Sequence, residues 1–381
     1  MTILKQSVGI DIAKDSFTVC LSKRYLNADL KQSVVVTFKN NKTGFNQLMK
    51  WVRKNADKTL PIVFVMEATG TYYEQLAYHL NKLNKTINVV LPNKINHFAK
   101  SLNIKSKTDP IDSKVISQLG AERNLNVWNP PVPLFRELRS LTRLYNSLQK
   151  DKTMTTNRLG HLDCSYKPNK LSMKIYKDMI KRYDKRLDEI ESAMEKLLKS
   201  DDKIWEKIEN LMTIKGVGFK TIAIIIGETQ GFQLIQNQRQ LTSYCGLDVV
   251  KKESGSSVSG KSKISKKGNS HIRAALYFPA LSSSRYNKHL SIVYKRINKN
   301  KPNKMPGIVA LQRRLLVLIY SIWKSGLPFM EDYELWRTSG NQEERVSSSS
   351  KYMKKVDGAE RLSSTQNELP YKQVSEALLH L

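Results

Sequence analysis

The sequence has little of several features that would place it in a common protein class. Its 381 residues include only three cysteines, Cys20, Cys164 and Cys245, which are far apart and odd in number. This spacing excludes a disulfide framework and a metal-knuckle motif, and it is typical of a protein from a reducing cytosol. Acidic residues are also scarce, because 34 Asp and Glu stand against 64 Lys and Arg, a formal charge of +30. Such a charge favours a polyanionic partner, with nucleic acid first and an anionic membrane surface second.

The sequence has no long uncharged apolar run. Its best candidate for a membrane span, residues 308–323, carries Arg313 and Arg314 in its middle. Near the N-terminus, Asp11 and Asp15 interrupt the apolar region that a signal peptide would need. We therefore expect a soluble cytoplasmic protein.

The first region of the chain alternates between strand and helix patterns. The predicted elements, in order, are two strands within 6–22 joined by a tight turn, a strand at 33–38, a helix at 43–55, strands at 61–66 and 88–92 that are each followed by a helix, and a helix from Asp109. Three leading strands favour an antiparallel meander, and the later alternation favours parallel crossovers. This order is typical of a ribonuclease-H-like α/β domain, which we expect over residues 1–128.

After Pro130 the pattern becomes helical. Apolar residues recur at alternating intervals of four and three in two segments, Leu134, Leu138, Leu141, Tyr145 and Leu148, then Tyr183, Leu187, Ile190, Met194 and Leu197. Separated by a polar stretch at 151–172, they predict either a coiled-coil arm or a plain helical bundle over residues 129–204. Residues 205–330 are expected to form a mainly α domain. Residues 331–381 have few large apolar groups, which predicts a flexible tail.

Four carboxylates stand out in the first region. Asp11 lies within an apolar strand, where an unpaired charge is poorly placed for a core, and Glu67 ends another apolar strand. Asp109 and Asp112 are three residues apart on a predicted helix and so share a face. A ribonuclease-H-like layout would bring all four together, and oxygen ligands favour Mg²⁺ or Mn²⁺. Taken singly, Asp109 is also a natural helix N-cap, Glu67 a cap for the next helix and Asp112 a surface charge.

Two segments of the third region carry residue types that bind phosphate. Residues 214–220 place Gly216 and Gly218 as in a helix–hairpin–helix turn, although an ordinary turn between two helices has the same pattern. Residues 253–273 are rich in Ser, Gly and Lys. The predicted nucleic-acid contacts are Lys105, Lys107, Lys215, Gly216, Gly218, Lys220, Lys261, Lys263, Lys266, Lys267 and Arg273.

A serine within the second of these segments is a candidate nucleophile on phosphorus, since nearby cations lower the cost of an alkoxide. Most loops of this composition are linkers, so the loop alone is weak support for catalysis. Its spacing does not select among the four candidates, Ser254, Ser256, Ser257 and Ser259.

Several motifs together resemble one known family. VGIDIAKDSF, MEATGTY and KSKTDPIDSKVI resemble the N-terminal domain of the DEDD-motif transposases of the insertion-sequence one-ten type, whose relatives include the Piv and MooV invertases. LMTIKGVGFKTIAIIIGE and the later KISKKGNSHIRAALY resemble the C-terminal transposase domain of the same family. The resemblance covers residues 5–330 and has the motifs in the expected order.

The resemblance implies a role for particular residues. It places the DEDD positions of a RuvC-like domain, and with them a Mg²⁺ (or Mn²⁺) site, at Asp11, Glu67, Asp109 and Asp112. It also implies a serine nucleophile in a Ser-Gly pair shortly after a Gly-Leu pair, which maps to Ser254.

This sequence departs from the family after that serine. Ser256-Ser257-Val258-Ser259 stands where a Gly-Lys-Arg run is usual, so Ser256 is a second candidate. The resemblance further implies transposition through a phosphoserine–DNA intermediate, with double-stranded donor and target DNA and a structured bridge RNA as partners. It also implies a dimer or tetramer on DNA, in the nucleoid of a prokaryote.

Three other functions are compatible with parts of the pattern. A RuvC-like nuclease would keep the carboxylates and use water as its nucleophile on branched DNA. A sugar-kinase or actin-like phosphotransferase also has an Asp in its first strand, but it would need glycine-rich phosphate loops that this sequence lacks. A non-catalytic nucleic-acid-binding protein would use only the glycine turn and the basic loop.

Overall fold

The computed structural model describes residues 2–329 except 69, 107, 234, 251–252, 255–257 and 261–262, and it describes the backbone alone at 253–254 and 258–259. The chain divides into two compact units, residues 1–130 and residues 131–381, here called the N-terminal and C-terminal units. Lys107, Lys261, Ser256 and the predicted tail at 331–381 lie outside the described residues.

The N-terminal unit is a mixed α/β structure, as predicted. Its strands are β1 (Ile3–Ile12), β2 (Ser16–Tyr25), β3 (Leu30–Gln32), β4 (Val36–Lys39), β5 (Ile62–Glu67) and β6 (Thr86–Val90), and its helices are α1 (Lys42–Asn55), α2 (Glu74–Lys82), α3 (Pro92–Ser101) and α4 (Asp109–Glu122). The sheet order is β3-β2-β1-β5-β6, with β4 also paired to β2. The meander β1–β2–β3 is antiparallel, and β1, β5 and β6 are parallel.

The predicted third strand is wrong in one detail, because two short strands replace the single strand at 33–38. Gln32 of β3 pairs with Ser22, and Val36 of β4 pairs with Val19. The chain therefore advances four residues from β3 to β4 while the paired positions on β2 are three residues apart. The extra residue therefore lies within residues 33–35, where the Ser33 N–H donates to the Leu21 carbonyl oxygen (2.8 Å) and the Ser33 hydroxyl accepts from the Leu21 N–H (3.0 Å).

Alternate residues of β1 face two different cores. Val8, Ile10 and Ile12 pack with apolar residues of α1 and α2 on one side of the sheet. On the opposite side, α3 and α4 form a smaller core around Ile116. Because side chains alternate along a strand, the odd-numbered residues of β1 face α4. This alternation decides which side chains can meet the start of α4.

The C-terminal unit is mostly helical, as predicted. Its elements are α5 (Pro133–Asp163), α6 (Lys170–Lys199), α7 (Asp202–Met212), α8 (Phe219–Thr229), α9 (Gln238–Tyr244), β7 (Val249–Val250), β8 (Glu253–Ser254), β9 (Val258–Ser259), β10 (Lys263–Ile264), α10 (Ser270–Ala275), α11 (Tyr277–Tyr286), α12 (Lys288–Asn298) and α13 (Met305–Ser325). One core joins these helices and includes residues of α5, α6, α8 and α13. The short strands were not predicted.

The polar stretch predicted at 151–172 is largely helical. Helix α5 continues to Asp163 and α6 begins at Lys170, so residues 164–169 alone connect them. Lys152 and Asp184 form an ion pair between the two helices. Most polar residues there face solvent. Extending a helix that has already formed adds one backbone hydrogen bond per residue, so this part needs few apolar contacts. The half of this hairpin that lies near the other helices buries Leu138 and Met194 in the main core.

Helix α13 is the one helix among the described residues that is long and apolar enough to cross a bilayer by length and composition alone. Most of its apolar window is buried inside the C-terminal unit. Leu311, Leu315 and Ile319 are fully buried there. Core helices of globular units share this composition, so the helix is weak support for a membrane span.

Candidate active site

Asp11 and Glu67 lie at the ends of two adjacent parallel strands, Asp11 as the residue before the last of β1 and Glu67 as the last of β5. The register of β1 and β5 pairs Ile10 with Met66, so Asp11 and Glu67 occupy the next position on each strand. Parallel strands lie about 4.8 Å apart. Side chains at matching positions of parallel strands point to the same face, so these two half-buried carboxylates are neighbours.

Helix α4 lies directly on the odd-numbered face of β1. A Cβ built on Gly9 would lie 2.1 Å from the backbone nitrogen of Ser117 and 2.4 Å from the carbonyl oxygen of Ser113. A Cβ on Gly120 would lie 2.1 Å from the Ser7 hydroxyl oxygen. The helix therefore runs opposite to the strand, with its later residues over the beginning of β1.

The first turn of α4 consequently points towards the end of β1 that carries Asp11. That turn contains Asp109 and Asp112. Val65 on β5 touches the same helix at Gly120, so Glu67, two residues further, lies on the same face. The structure thus aligns the backbone positions of all four carboxylates at one end of one face of the sheet.

The capping roles considered for these carboxylates are not the ones observed. Helix α4 begins at Asp109 as predicted, but Thr108 is its N-cap. Helix α2 begins at Glu74 with Tyr73 as its N-cap, so Glu67 caps neither helix. Carboxylates in the first turn of a helix still interact favourably with the helix dipole. That interaction gives Asp109 and Asp112 a structural role whether or not they bind a cation.

The four carboxylates offer oxygen ligands only, and this donor set fits Mg²⁺ or Mn²⁺ in its chemistry. Within the part of the chain that the structure describes, no group of three or more His, Cys, Asp or Glu side chains lies close enough to hold a metal ion. The alignment is therefore one of backbone positions on a shared face, and the side chains are not gathered into a ligand cage.

Replacing Gly9 by alanine should disrupt this alignment. The added methyl group would meet the backbone of α4, which cannot move aside as a side chain can. We expect a loss of about 1–3 kcal/mol in the free energy of unfolding, as for other overpacked interiors. Urea unfolding measures it.

Gly160 provides the matched control for Gly9. It is exposed on α5, and nothing lies within 4 Å of a Cβ built there. Gly160→Ala should therefore stabilise the chain by about 0.5–1 kcal/mol through helix propensity. Equal effects of the two substitutions would contradict the close approach of α4 to β1.

Ser254 lies at the end of a short strand in the C-terminal unit. It is the last residue of β8 and pairs with Val258 of β9 in an antiparallel ladder. Along the chain, β7 precedes this hairpin and β10 follows it, and the pair β7–β10 forms a second antiparallel ladder. The candidate serine is therefore carried on a strand of a β-hairpin instead of in an irregular linker.

Two glycines, Gly246 and Gly268, bring together the two ends of the segment that contains β7 to β10. Gly246 has a φ of +66°, a conformation that L side chains rarely adopt. A Cβ on Gly268 would lie 2.5 Å from the Gly246 nitrogen. The Arg273 guanidinium donates hydrogen bonds to the carbonyl oxygens of Cys245 (2.8 Å) and Gly268 (3.0 Å), one at each end. Arg273, predicted to contact nucleic acid, thus holds the base of the serine-bearing hairpin.

A buried carboxylate, Glu228 of α8, joins this base to α5. Arg143 donates to it from Nε (2.7 Å) and Nη2 (3.2 Å), and Asn269 donates from Nδ2 (2.7 Å). Arg139 Nε lies 3.4 Å from Oε2, within ion-pair distance. The side-chain oxygen Oδ1 of Asn269 also accepts from the N–H groups of His271 and Ile272, which caps α10. Asn269, which follows β10 along the chain, therefore contacts Glu228 of α8 and caps α10, and Glu228 in turn binds Arg143 of α5.

The charge state of Glu228 follows from these contacts. Burial raises the pKa of its carboxyl, but hydrogen bonds from Arg143 and Asn269 and the charges of both arginines outweigh burial and lower the pKa overall. Glu228 was missed in the sequence, although it is a lone acid in the apolar run TIAIIIGET. Such a residue signals a buried partner for the same reason that singled out Asp11.

Replacing Glu228 by glutamine should destabilise the C-terminal unit. The substitution leaves Arg139 and Arg143 without the buried charge that pairs with them. We expect a loss of about 2 kcal/mol, less than for a fully buried pair because both arginines are partly exposed and can turn to solvent. Glu189→Gln, at an exposed ion pair with Arg186, should change stability by less than about 0.5 kcal/mol.

The effect of Glu228 should depend on pH. Its pKa is lower in the folded chain than in the unfolded chain, so its stabilisation is present above the unfolded value of about 4.3 and is lost as pH falls through the folded value. The difference in stability between wild type and Glu228→Gln should shrink as pH falls below about 4. Urea unfolding at several pH values measures it, and a difference that grows in acid would contradict the assignment.

The glycine turn between α7 and α8 has the predicted backbone but a different lysine environment. Gly216 has a φ of +90°, and Gly218 is the N-cap of α8. Lys220 forms a 2.8 Å ion pair with Glu191 of α6 and lies 5.2 Å from the centre of the Tyr145 ring. The hydrogen bond to Glu191, followed by that to Tyr145, raises the pKa of Lys220. This lysine is engaged within the unit, and phosphate binding by the turn stays a prediction.

The other predicted contacts divide between the two units. Lys105 is exposed in the loop before α4, in the N-terminal unit. Lys263, Lys266 and Lys267 are exposed near the base of the serine-bearing hairpin, and Lys215 is exposed in the glycine turn. These positions are accessible to a polyanion, whereas Lys107 and Lys261 lie outside the described residues.

Two family models match this chain. Residues 8–164 match a model of DEDD transposases of the IS110 type, described as a transposase. Residues 208–295 match the transposase family IS116/IS110/IS902. The first match includes all four candidate carboxylates and the second includes Ser254.

Curated relatives match over most of their length. The pilin gene-inverting proteins of Moraxella bovis and Moraxella lacunata are each 29% identical to this chain over 331 residues, which is 85% of the chain and 98% of each relative. Among solved structures, a member of the Ppx/GppA family from Aquifex aeolicus is 9% identical with a TM-score of 0.21, covering 84% of this chain and 91% of that one. So low a score supports no conclusion. The family models and the relatives agree, and the chain belongs to the IS110 family of DNA transposases and recombinases.

Proposed function

We propose that this transposase cuts and rejoins DNA through a phosphoserine intermediate at Ser254, with Mg²⁺ or Mn²⁺ held by Asp11, Glu67, Asp109 and Asp112. The observation that carries the proposal is the alignment of these four carboxylates. Strand register puts the first two side by side, and the reversed crossing of α4 brings the other two to the same end. Four like charges on one face repel one another unless a cation lies among them, and the helix dipole of α4 offers a stabilising role only for Asp109 and Asp112.

The domain assignment belongs to the same proposal. Residues 1–128 form a RuvC-like domain, which is supported by the central position of β1, the antiparallel meander and the parallel strands β5 and β6. Residues 129–204 form a coiled-coil arm, supported by the hairpin of α5 and α6. Residues 205–330 form the domain with the serine and the helix–hairpin–helix-like turn.

The reaction begins at the serine hydroxyl. The Ser254 hydroxyl loses its proton, its Oγ forms a bond to a backbone phosphorus, and the bond from that phosphorus to one strand oxygen breaks. The departing oxygen takes up a proton. Rejoining is the reverse, since a strand hydroxyl attacks the phosphoserine and releases the serine. No phosphodiester bond is lost overall, so the exchange needs no external energy source.

The protein's own residues bind and orient the strand for this exchange. When bound, a divalent ion supplies neutralisation of the charge on the attacking and departing oxygens. Exposed Lys263, Lys266 and Lys267 lie near the base of the hairpin, where their charge favours both the phosphate and a serine alkoxide. Arg273 and Asn269 position the hairpin through the contacts at its base.

The proposed partners are double-stranded donor and target DNA, a structured guide RNA, and further copies of the chain in a dimer or tetramer on DNA. A formal charge of +30 and the exposed lysines support a large polyanionic partner. Base pairing by the RNA would supply sequence choice, while the protein reads backbone and shape. A nuclease that uses water is not favoured, because inversion, the activity in the relatives' names, requires rejoining as well as cutting.

The experiment that tests this function looks for the intermediate. The protein is expressed together with the DNA that adjoins its gene, then denatured in detergent. We expect a fraction of the protein to keep an attached DNA fragment that nuclease digestion shortens. DNA ends that carry free phosphate, with no protein attached, would contradict the serine intermediate.

A further inference from the structure

The described lining of a large groove in the C-terminal unit includes neither the four carboxylates nor Ser254, although it shares Lys263 and Lys266 with the lysines proposed to favour the phosphate. Its volume is about 1580 Å³, and its walls come from α9, the β7–β10 ladder, α12 and α13. Pockets for small ligands usually measure about 300–1,000 Å³. The groove is therefore large for a metabolite and suits part of an extended molecule.

The charge of this groove has one sign. Its described lining includes no aspartate or glutamate, and it includes the cationic residues Arg239, Lys263, Lys266, Arg296, Arg313, Arg314 and Lys324. All of these except Arg314 are exposed. So many cations in one concave surface repel one another unless an anion with many charges lies between them.

The lining also indicates which part of a polyanion is recognised. The aromatic residue in the described lining, Tyr320, is 8% exposed, and the Lys324 ammonium lies over its ring, 5.8 Å from the centre. The ring is therefore not open for a base to stack on, as single-strand-binding proteins require. Contacts to phosphate alone position a nucleic acid without reading its sequence.

We infer that this groove binds the phosphate backbone of the DNA on which the transposase acts, independently of sequence. Three of its wall residues, Val249, Lys263 and Ile264, belong to the ladder whose strands precede and follow the Ser254 hairpin along the chain. DNA in the groove therefore passes the base of that hairpin. This last step rests on the proposed function, whereas binding in the groove does not. The inference also gives a role to Arg313, a charge that is otherwise unexplained in an apolar helix.

The test compares two double variants with equal loss of charge. Arg296→Gln with Arg313→Gln removes two exposed groove cations, and Lys50→Gln with Arg53→Gln removes two exposed cations from α1. Fluorescence anisotropy measures the binding of DNA duplexes of unrelated sequence between about 50 and 200 mM salt. Thermal unfolding by circular dichroism checks that both variants fold.

The groove variant should bind duplex DNA about tenfold more weakly, and its plot of log affinity against log salt should be shallower by about 1.8, or 0.9 for each lost phosphate contact. The α1 variant should bind like wild type. Arg296→Lys with Arg313→Lys should restore the affinity, because phosphate binding of this kind needs charge more than shape.

Three results would overturn the inference. They are unchanged DNA binding by the glutamine variant, an equal loss in the α1 variant, or a loss confined to an RNA probe. The outcome is separable from the proposed function, because Ser254→Ala should leave this binding intact. If the groove variant binds DNA normally and forms a normal adduct, only the inference about the groove is rejected. If DNA binding depends on the groove but the wild-type protein forms no adduct, only the proposed serine intermediate is rejected.

Discussion

Ser254→Ala is expected to abolish the covalent protein–DNA species and to reduce strand exchange by roughly 10³-fold or more, as removal of a nucleophile usually does. Ser254 ends strand β8, whose pairing with β9 uses backbone groups that alanine retains. The substitution should therefore leave the fold and the affinity for DNA unchanged. Denaturing electrophoresis of the protein with its DNA measures the adduct.

Neighbouring serines provide the matched controls. Ser256→Ala and Ser259→Ala remove the same hydroxyl from the same segment. Both variants should form the adduct at close to the wild-type level. An adduct that persists in Ser254→Ala and disappears in Ser256→Ala would move the nucleophile by two residues. That result would support a serine nucleophile but reject its assignment to Ser254.

Asp11→Asn is expected to reduce strand cleavage by roughly 10³-fold, because it removes charge from the place where a divalent ion must be held. Asparagine has nearly the same size and the same strand position, so packing around β1 should not change. DNA binding should persist, since its main source is the positive charge elsewhere in the chain. Cleavage assays with Mg²⁺ or Mn²⁺ measure the loss.

The same substitution should not destabilise the protein. Like charges about 6 Å apart at an effective dielectric of about 20 repel by roughly 3 kcal/mol. Without a metal, Asp11→Asn should therefore keep or raise the free energy of unfolding. Asp15→Asn, four residues away and exposed in the turn between β1 and β2, should change neither activity nor stability. Wild-type cleavage by Asp11→Asn, or a large loss of stability, would show that the carboxylate is structural.

The sequence predicted the elements whose apolar pattern is local. The β1–β2 hairpin, β5, and the start of α4 at Asp109 were all expected from alternation or helix-start signals. The interruption of the third strand was missed, because it depends on how residues 33–35 meet Leu21 of the neighbouring strand. The helical stretch within 151–163 was also missed, because its polar residues lack an apolar face and the helix is extended from its buried end.

The candidate site was likewise predicted where its signal is local and missed where it depends on contacts between distant residues. Lone acids in apolar runs marked Asp11 and Glu67, and spacing alone put Asp109 and Asp112 on one helix face. The close approach of α4 to β1 requires the missing Cβ of Gly9, a contact between distant residues that the sequence pattern does not reveal. The bracing of the hairpin by Glu228 joins residues far apart in the chain. Tertiary contacts of this kind leave little periodic signal.

The most direct measurement of the proposed mechanism identifies the residue that carries DNA in the trapped intermediate. The adduct is digested with nuclease and protease, and the peptide that bears a nucleotide remnant is sequenced by mass spectrometry. We predict that the remnant is attached through a phosphate to the side-chain oxygen of Ser254, and that no adduct forms in Asp11→Asn. Attachment at another residue, or an equally abundant adduct without Asp11, would contradict an active site that combines this serine with the four carboxylates.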